Sequence, residues 1–160
     1  VRALLSGQVD AVIGAYWVHE SILIEQQGEK PVILRVEQWG VPDFYELVMV
    51  TSEPELREHE DRVQRFVHGM IRGYRDAAAD LDAAVALLVR EYPETNEALE
   101  KQGIRLLARL WTEGVPIFGW QEEKRWTDYA AWMRERGLLE GDVDARAAFT
   151  NRFVEQARQA

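Results

Sequence analysis

Three short apolar runs lie in the first third of the chain, at residues 9–13, 31–36 and 46–51. Runs of this length, rich in Val, Ile and Leu, are typical of buried strands. A helical pattern over residues 17–27, ended by Gly28, separates the first run from the second. Strands that alternate with helices indicate part of an α/β sheet, which is the fold class that the sequence predicts.

From Ser52 onward the apolar residues change to the three-and-four spacing of amphipathic helices. On the third of these helices the apolar stripe includes Leu99, Gly103, Leu107 and Trp111. The pattern predicts five helices: one over residues 58–79, one that stops before Pro93, one capped by Thr95, one that ends at Gly137, and a short one over residues 150–157. We therefore expect about three strands followed by a helix-rich C-terminal region.

A sheet of only three strands has unpaired edges, and such edges attract strands from other chains. We therefore expect a homodimer formed through the exposed sheet edges. The chain also opens with Val1, inside a helix-then-strand pattern that no strand precedes and without a signal peptide. This start favours a fragment of a longer protein over a trimmed mature N-terminus.

The composition is that of a folded globular protein, with 47% hydrophobic and 29% charged residues. The formal net charge is −9 and no Lys/Arg-rich stripe could neutralise phosphates, so we expect no nucleic-acid binding. The chain has no cysteine, which excludes disulfides, thiolate nucleophiles and zinc sites built on sulfur. No apolar run approaches the roughly 18–20 residues of a membrane span.

The residues do not favour catalysis. The histidines are scattered, and His59 and His68 are nine positions apart, unlike the i, i+4 spacing of a helical metal pair. The chain contains no HExxH, Walker, GxSxG or GxGxxG motif. Glu122 and Glu123 fall at a predicted helix start, where the helix dipole favours anions and a solvated position explains both. We expect no catalytic residue, no cofactor and no metal.

Ligand binding fits the stretch GAYWVHE, residues 14–20, better. It directly follows the first predicted strand, and ligands of open α/β sheets sit beyond the C-terminal ends of strands. Tyr16 and Trp17 could stack on a flat ring, while His19 and Glu20 could form hydrogen bonds with it. The alternative is that the two aromatic rings fill the core and Glu20 caps a helix or faces water. The residues alone leave both interpretations open.

The loop at residues 37–45 offers a second group of aromatic side chains. Trp39 lies next to Gly40 and is the best candidate there for the wall of a pocket. About half of the aromatic side chains in this loop, which also include Phe44 and Tyr45, are expected to serve packing. Trp111, Trp126 and Trp132 have helical spacing, which favours packing over ligand contact.

The order and spacing of these motifs resemble the solute-binding proteins of ABC importers, in particular the branch that binds the pyrimidine precursor of thiamine and related flat heterocycles. The matching stretches are ALLSGQVDAVIGAYWVHE and GVPDFYELVMVTSEPELREHEDRVQRFVHGMIRGYRDA. Further matches are Trp126 on its helix, the sequence Gly137-Leu138-Leu139, and Thr150-Asn151 followed by Phe153. The resemblance covers nearly the whole chain.

The resemblance implies a type-II periplasmic-binding-protein-like fold, with this chain as its C-terminal part. Residues 1–36 would then form the end of the second lobe and the cross-over, and residues 37–160 part of the first lobe. Tyr16, Trp17, His19 and Glu20 would face the ligand, joined by Trp39. The stretch Trp17-Val18-His19 replaces the Tyr or Asn often found in this segment, so a larger ring such as a flavin stays open.

The implied function is capture of a small heterocycle outside the cytoplasm and its delivery to ABC permease subunits. The full-length protein would then be periplasmic or anchored on the outer side of the membrane. Two alternatives share the fold. One is an iron-dependent pyrimidine synthase, whose cysteine-rich segment has no counterpart in this cysteine-free chain. The other is a ligand-sensing domain of a signalling protein, which the sequence upstream of Val1 would distinguish.

Overall fold

The structure is a computed structural model that describes residues 1–159, and helices are its regular elements. Within these residues two short 3₁₀-helices, Val36–Trp39 and Ala145–Ala148, accompany eight α-helices. In chain order the α-helices are α1 (Arg2–Leu5), α2 (Glu20–Gln26), α3 (Glu53–Glu58), α4 (Glu60–Ala79), α5 (Leu81–Glu91), α6 (Glu97–Leu107), α7 (Glu123–Glu135) and α8 (Arg152–Gln159).

The predicted sheet is absent from residues 1–159, so the prediction of an α/β, periplasmic-binding-protein-like fold with about three strands is wrong for this structure. Residues 9–13, 31–35 and 46–51 of these runs are non-helical, Val36 begins a 3₁₀-helix, and no backbone hydrogen bond pairs a run with a neighbouring strand in the described chain. Many of their side chains are exposed, among them Ile13, Val32 and Val50. β-branched residues favour a strand only where a second strand is present to pair with it, because their preference is for a pleated, half-buried surface. Because the described residues form no sheet, they have no sheet edges through which the expected homodimer could form.

The predicted helices are confirmed, with boundaries that differ by a few residues. Gly28 and Gly137 follow α2 and α7 with φ angles of +85° and +67°, in the left-handed region that glycine adopts easily. After α7 the Gly137 N–H donates to the carbonyl of Arg134, and the next N–H reaches back to Met133. The predicted cap at Thr95 is wrong: the Asn96 side chain accepts the Leu99 N–H at 3.2 Å and begins α6.

The chain divides into two compact units. The first comprises Val1–Leu34 and Arg75–Glu113, and the second comprises Arg35–Tyr74 and the chain from Gly114 onward. In the first unit α6 packs against both α5 and α2. The buried apolar side chains of this unit are Val18, Ile22, Ile24, Val85 and Leu99. The proposed assignment of residues 1–36 and 37–160 to two lobes stays a prediction.

Aromatic stacking organises the second unit. The rings of Phe44 and Tyr129 stack with centroids 4.6 Å apart, and Trp132 continues this row 5.7 Å from Tyr129. The guanidinium of Arg136 ends the row, 4.4 Å from the centre of the Trp132 ring. Such contacts add to the burial of ring surface. The packing role expected for Trp132 is therefore confirmed, and Phe44 packs in the same row.

Side-chain amides tie the end of the chain to the start of α7. Asn151 accepts the backbone N–H of Gln121 at 2.8 Å and donates to the Gln121 carbonyl at the same distance. The side chain of Gln121 in turn accepts the indole N–H of Trp126 at 2.9 Å. Trp126 stacks on Phe149 with centroids 5.8 Å apart. These bonds give Asn151 a structural role in the second unit.

Candidate functional site

Residues 14–20 form a turn that leads into α2. Gly14 adopts a φ of +77°, which glycine tolerates and other residues rarely do. Two residues on, the Tyr16 carbonyl accepts the N–H groups of His19 and Glu20, each at 2.9 Å. The Glu20 carboxylate returns the contact by accepting the Tyr16 N–H at 2.8 Å. This reciprocal pair closes the turn immediately before α2.

The centre of the turn is anchored and its flanks are accessible. Val18 is 7% exposed and belongs to the buried side chains of the first unit. The Ser21 hydroxyl, one residue into α2, donates to the Trp17 carbonyl. Tyr16 is 43% exposed, whereas Trp17, His19 and Glu20 are half-buried. The turn therefore holds two aromatic rings, an imidazole and a carboxylate in a fixed local geometry at the surface of the first unit.

A cavity of about 240 Å³ lies beside this turn within the first unit. His19 and Val18 form one side, and apolar side chains of α5 and α6 form most of the rest. Trp111 also lines it, and Glu100 and His19 are its titratable groups. Small-molecule sites typically measure roughly 300–1,000 Å³. This cavity therefore suits a single ring or one part of a larger ligand.

A more open concavity of about 410 Å³ occurs in the second unit. Its charged residues are Arg134, Asp142, Asp144 and Arg146. Arg146 donates to Glu123 at 2.7 Å, and this hydrogen bond holds the pKa of the guanidinium above its usual value. Arg134 lies 3.7 Å from a carboxylate oxygen of Asp142. Because the opposite charges already face each other, the concavity offers little net charge to a ligand.

The structure brings four of the five candidate ligand residues together. Tyr16, Trp17, His19 and Glu20 occupy consecutive positions around the anchored Val18 in the first unit. Trp39 belongs to the second unit, where it ends a 3₁₀-helix before Gly40 and is 73% exposed. The assignment of these residues to a ligand site stays a prediction.

The cavity is also lined by residues that the sequence did not single out for a ligand site. Four residues of the predicted apolar stripe line the cavity beside His19: Leu99, Gly103, Leu107 and Trp111. An apolar stripe predicts a buried helix face, but it does not reveal an unfilled space at that face. The glycine within the stripe was the available signal, since glycine inside a helix often marks a close approach.

Two kinds of feature are missing from the part of the chain that the structure describes. None of its helices combines the length and apolar character needed to cross a membrane. Nor do three or more His, Asp or Glu side chains in residues 1–159 gather closely enough to hold a metal ion.

Comparison with known proteins gives a family match and three similar proteins. A family described as NMT1/THI5 like matches residues 1–84. The formylaminopyrimidine-binding protein of Halalkalibacterium halodurans is 26% identical over 153 residues, which cover 93% of this chain and 46% of that protein. The riboflavin-binding protein RibY of Chloroflexus aurantiacus is 27% identical over 161 residues, which cover 95% and 44%.

A third relative is a putative thiamine biosynthesis protein of Haemophilus influenzae. It is 25% identical over 142 residues, which cover 86% of this chain and 42% of that protein. The chain thus spans somewhat less than half the length of each of these three relatives. At the level of the family, the resemblance seen in the sequence is confirmed.

Proposed function

Because this chain belongs to the NMT1/THI5-like family, we propose that it is part of the solute-binding component of an ABC importer and captures a small flat heterocycle. The observation that carries the proposal is the naming of two relatives, which cover 93% and 95% of the chain, for binding a formylaminopyrimidine and riboflavin. Both ligands contain planar, nitrogen-rich rings. A pyrimidine precursor of thiamine is the ligand we favour, because the cavity beside His19 has room for one ring.

The turn at residues 14–20 supplies the chemistry that such a ligand needs. The exposed phenol ring of Tyr16 and the neighbouring indole of Trp17 can stack on the flat face of a heterocycle. The backbone N–H of Tyr16 donates a hydrogen bond to one carboxylate oxygen of Glu20. Because a carboxylate can accept about four hydrogen bonds, Glu20 can still accept hydrogen bonds from ring amines. His19 can donate or accept at the cavity wall.

We further propose that the captured heterocycle passes to ABC permease subunits on the periplasmic or other extracytoplasmic side, from a protein held at the membrane. The binding names of the relatives support capture, and delivery follows from it as the simplest use of a binding protein without chemistry of its own. Uptake of isotope-labelled heterocycle by host cells with and without the gene tests the delivery step. Equal uptake by both strains would contradict it.

Native mass spectrometry of the protein at its full natural length, purified from its host, tests the binding step. We expect a retained small molecule with the mass of a substituted pyrimidine or a flavin, and calorimetric titration with a formylaminopyrimidine and with riboflavin should confirm which one binds. If the protein binds neither compound, the proposal is contradicted. Conversion of the compound to a new product would instead favour a biosynthetic enzyme, the alternative to which the name of the third relative points.

A further inference from the structure

Gly103 is the point at which α6 meets the backbone of the candidate ligand turn. It is buried near the middle of α6. A Cβ atom added to Gly103 would lie 2.8 Å from the carbonyl oxygen of Val18 and 4.0 Å from its carbonyl carbon. Even favourable contacts between a carbon and a carbonyl oxygen lie at roughly 3.3–3.6 Å. The obstructing atom belongs to the backbone and cannot rotate away, so either the turn or α6 would have to move.

Two other helical glycines lack such a contact. Gly69 and Gly73 lie in α4, and an added Cβ at either position would meet no atom within 4 Å. Glycine inside a helix is unfavourable compared with alanine, because it has more backbone freedom to lose. At position 103 the close approach of Val18 gives a steric reason for this glycine, and the two glycines of α4 provide matched controls.

We propose that Gly103 is a positioning residue, whose missing side chain lets the Val18 carbonyl seat on α6 and thereby sets the orientation of Tyr16, Trp17, His19 and Glu20. The turn transmits this constraint because its parts are bonded to one another. Tyr16 and Glu20 exchange hydrogen bonds at 2.8 and 2.9 Å across Val18, and Ser21 holds the Trp17 carbonyl. The predicted effect on ligand affinity rests on the proposed function, whereas the effect on the turn does not.

The structural half of the proposal is tested by NMR on the Val18 carbonyl. In three-dimensional spectra that connect each amide to the preceding carbonyl, Gly103→Ala should shift the Val18 carbonyl resonance and the amides of His19 and Glu20. In protein labelled with fluorotryptophan, the fluorine resonance of Trp17 should shift as well, while that of Trp126 in the second unit should not. Gly69→Ala should leave all these resonances of the turn unchanged. Unshifted turn resonances in a folded Gly103→Ala protein would overturn the proposal.

A second pair of variants covers the case in which Gly103→Ala does not fold. Asn96→Ala weakens α6 at its N-terminus without touching the turn, and Ser52→Ala does the same to α3 of the second unit. If α6 sets the turn, Asn96→Ala should speed hydrogen exchange of the His19 and Glu20 amides, and Ser52→Ala should not. Equal exchange of these amides in both variants counts against the proposal.

The functional half is tested by calorimetric titration of the full-length protein with a formylaminopyrimidine and with riboflavin. We expect Gly103→Ala to weaken the binding of whichever compound the parent binds by about 10- to 100-fold, the scale of a misplaced site, while Gly69→Ala binds as the parent does. Unchanged affinity in Gly103→Ala would overturn the positioning role. If the parent binds neither compound, the proposed function fails, and the NMR and exchange measurements still decide whether Gly103 sets the turn.

Discussion

The Glu20 carboxylate accepts a hydrogen bond within the turn and is also predicted to bind the ligand. Substitutions can separate these two roles. Glu20→Gln keeps an oxygen that can accept the Tyr16 N–H, so the turn should persist while the charge is lost. We expect this change, and Trp17→Ala, each to weaken heterocycle binding by about 1–3 kcal/mol, the usual cost of a lost buried hydrogen bond or stacked ring. Calorimetric titration measures the effect.

Glu25→Gln is the matched control for this prediction, because Glu25 is an exposed carboxylate on the same helix. It should bind the heterocycle as the parent does. Unchanged affinity in both Glu20→Gln and Trp17→Ala would remove the two residues from the ligand site.

A single hydroxyl supports the start of α7 in the second unit. The Tyr45 hydroxyl oxygen accepts the Glu122 N–H at 2.6 Å, in a part-buried position. Tyr45→Phe leaves this donor without its partner, so we expect the free energy of unfolding to fall by about 1 kcal/mol. Urea denaturation measures the change. Tyr92→Phe, at an exposed tyrosine, should stay within about 0.5 kcal/mol of the parent, and an equally small effect of Tyr45→Phe would contradict the role of the hydroxyl.

Among the elements, α6 has a testable starting point. The Asn96 side chain accepts the Leu99 N–H, so Asn96→Ala should lower the free energy of unfolding by about 1 kcal/mol, the typical cost of a lost helix cap. Thr95→Ala removes the neighbouring residue that the sequence favoured as the cap, and it should cost less than about 0.5 kcal/mol. Thermal or urea unfolding of the two variants decides between the positions. A larger effect at Thr95 would reverse the assignment.

An exposed ion pair links α3 to α4. Arg62 donates to both carboxylate oxygens of Glu55, at 2.5 and 2.6 Å, and these hydrogen bonds hold the pKa of Glu55 below its usual value. Since the folded-state pKa is lowered, the pair stabilises the fold above the unfolded-state pKa of about 4.3 and loses this contribution as the pH falls through the folded-state pKa.

Carboxyl NMR titration tests this link between the two helices. Arg62→Gln should raise the pKa of Glu55 toward about 4.3, the value of an unperturbed glutamate. Arg57→Gln, which removes the partner of Glu53 instead, should change the pKa of Glu55 less. A pKa of Glu55 that is the same in Arg62→Gln as in the parent would contradict the bidentate pair.

Helices were more predictable from the sequence than the surfaces they bury. The three-and-four spacing over residues 58–79 identifies α4. The apolar residues with this spacing are not equally buried, however: Ile71 is buried, whereas Phe66 is 55% exposed. Periodicity describes one helix, whereas burial depends on which element packs against it. The choice of Thr95 over Asn96 failed for a related reason, because both residue types can cap and only the backbone geometry selects one.

At the scale of the whole molecule, the three apolar runs should be the most labile backbone. No backbone hydrogen bond joins residues 9–13, 31–34 or 46–51 to another segment in the described chain, whereas α5 and α6 pack on each other. Hydrogen exchange of the 160-residue chain should therefore be fast in these runs and slow in the two helices. Mass spectrometry of peptic fragments measures it. Protection of the runs by more than about 100-fold would contradict the unpaired state.

The sheet could not be settled from the sequence because pairing is a property of two segments. Residues 31–36 have every local feature of a strand, including β-branched side chains after Pro31. What decides the outcome is the presence of another extended backbone at hydrogen-bonding distance, and no local pattern contains that information. The site depends less on such pairing: Tyr16, Trp17, His19 and Glu20 are neighbours in sequence, so a single turn was enough to bring them together.

The stacked rings of the second unit have an optical consequence. Trp126 and Phe149 are only 2° from parallel, and Tyr129 and Trp132 only 10°. Rings held at fixed angles in an asymmetric setting give circular dichroism in the near ultraviolet, and this signal disappears when packing loosens even if helices remain. The stacked rings therefore make the second unit's own tight packing visible in a simple optical spectrum.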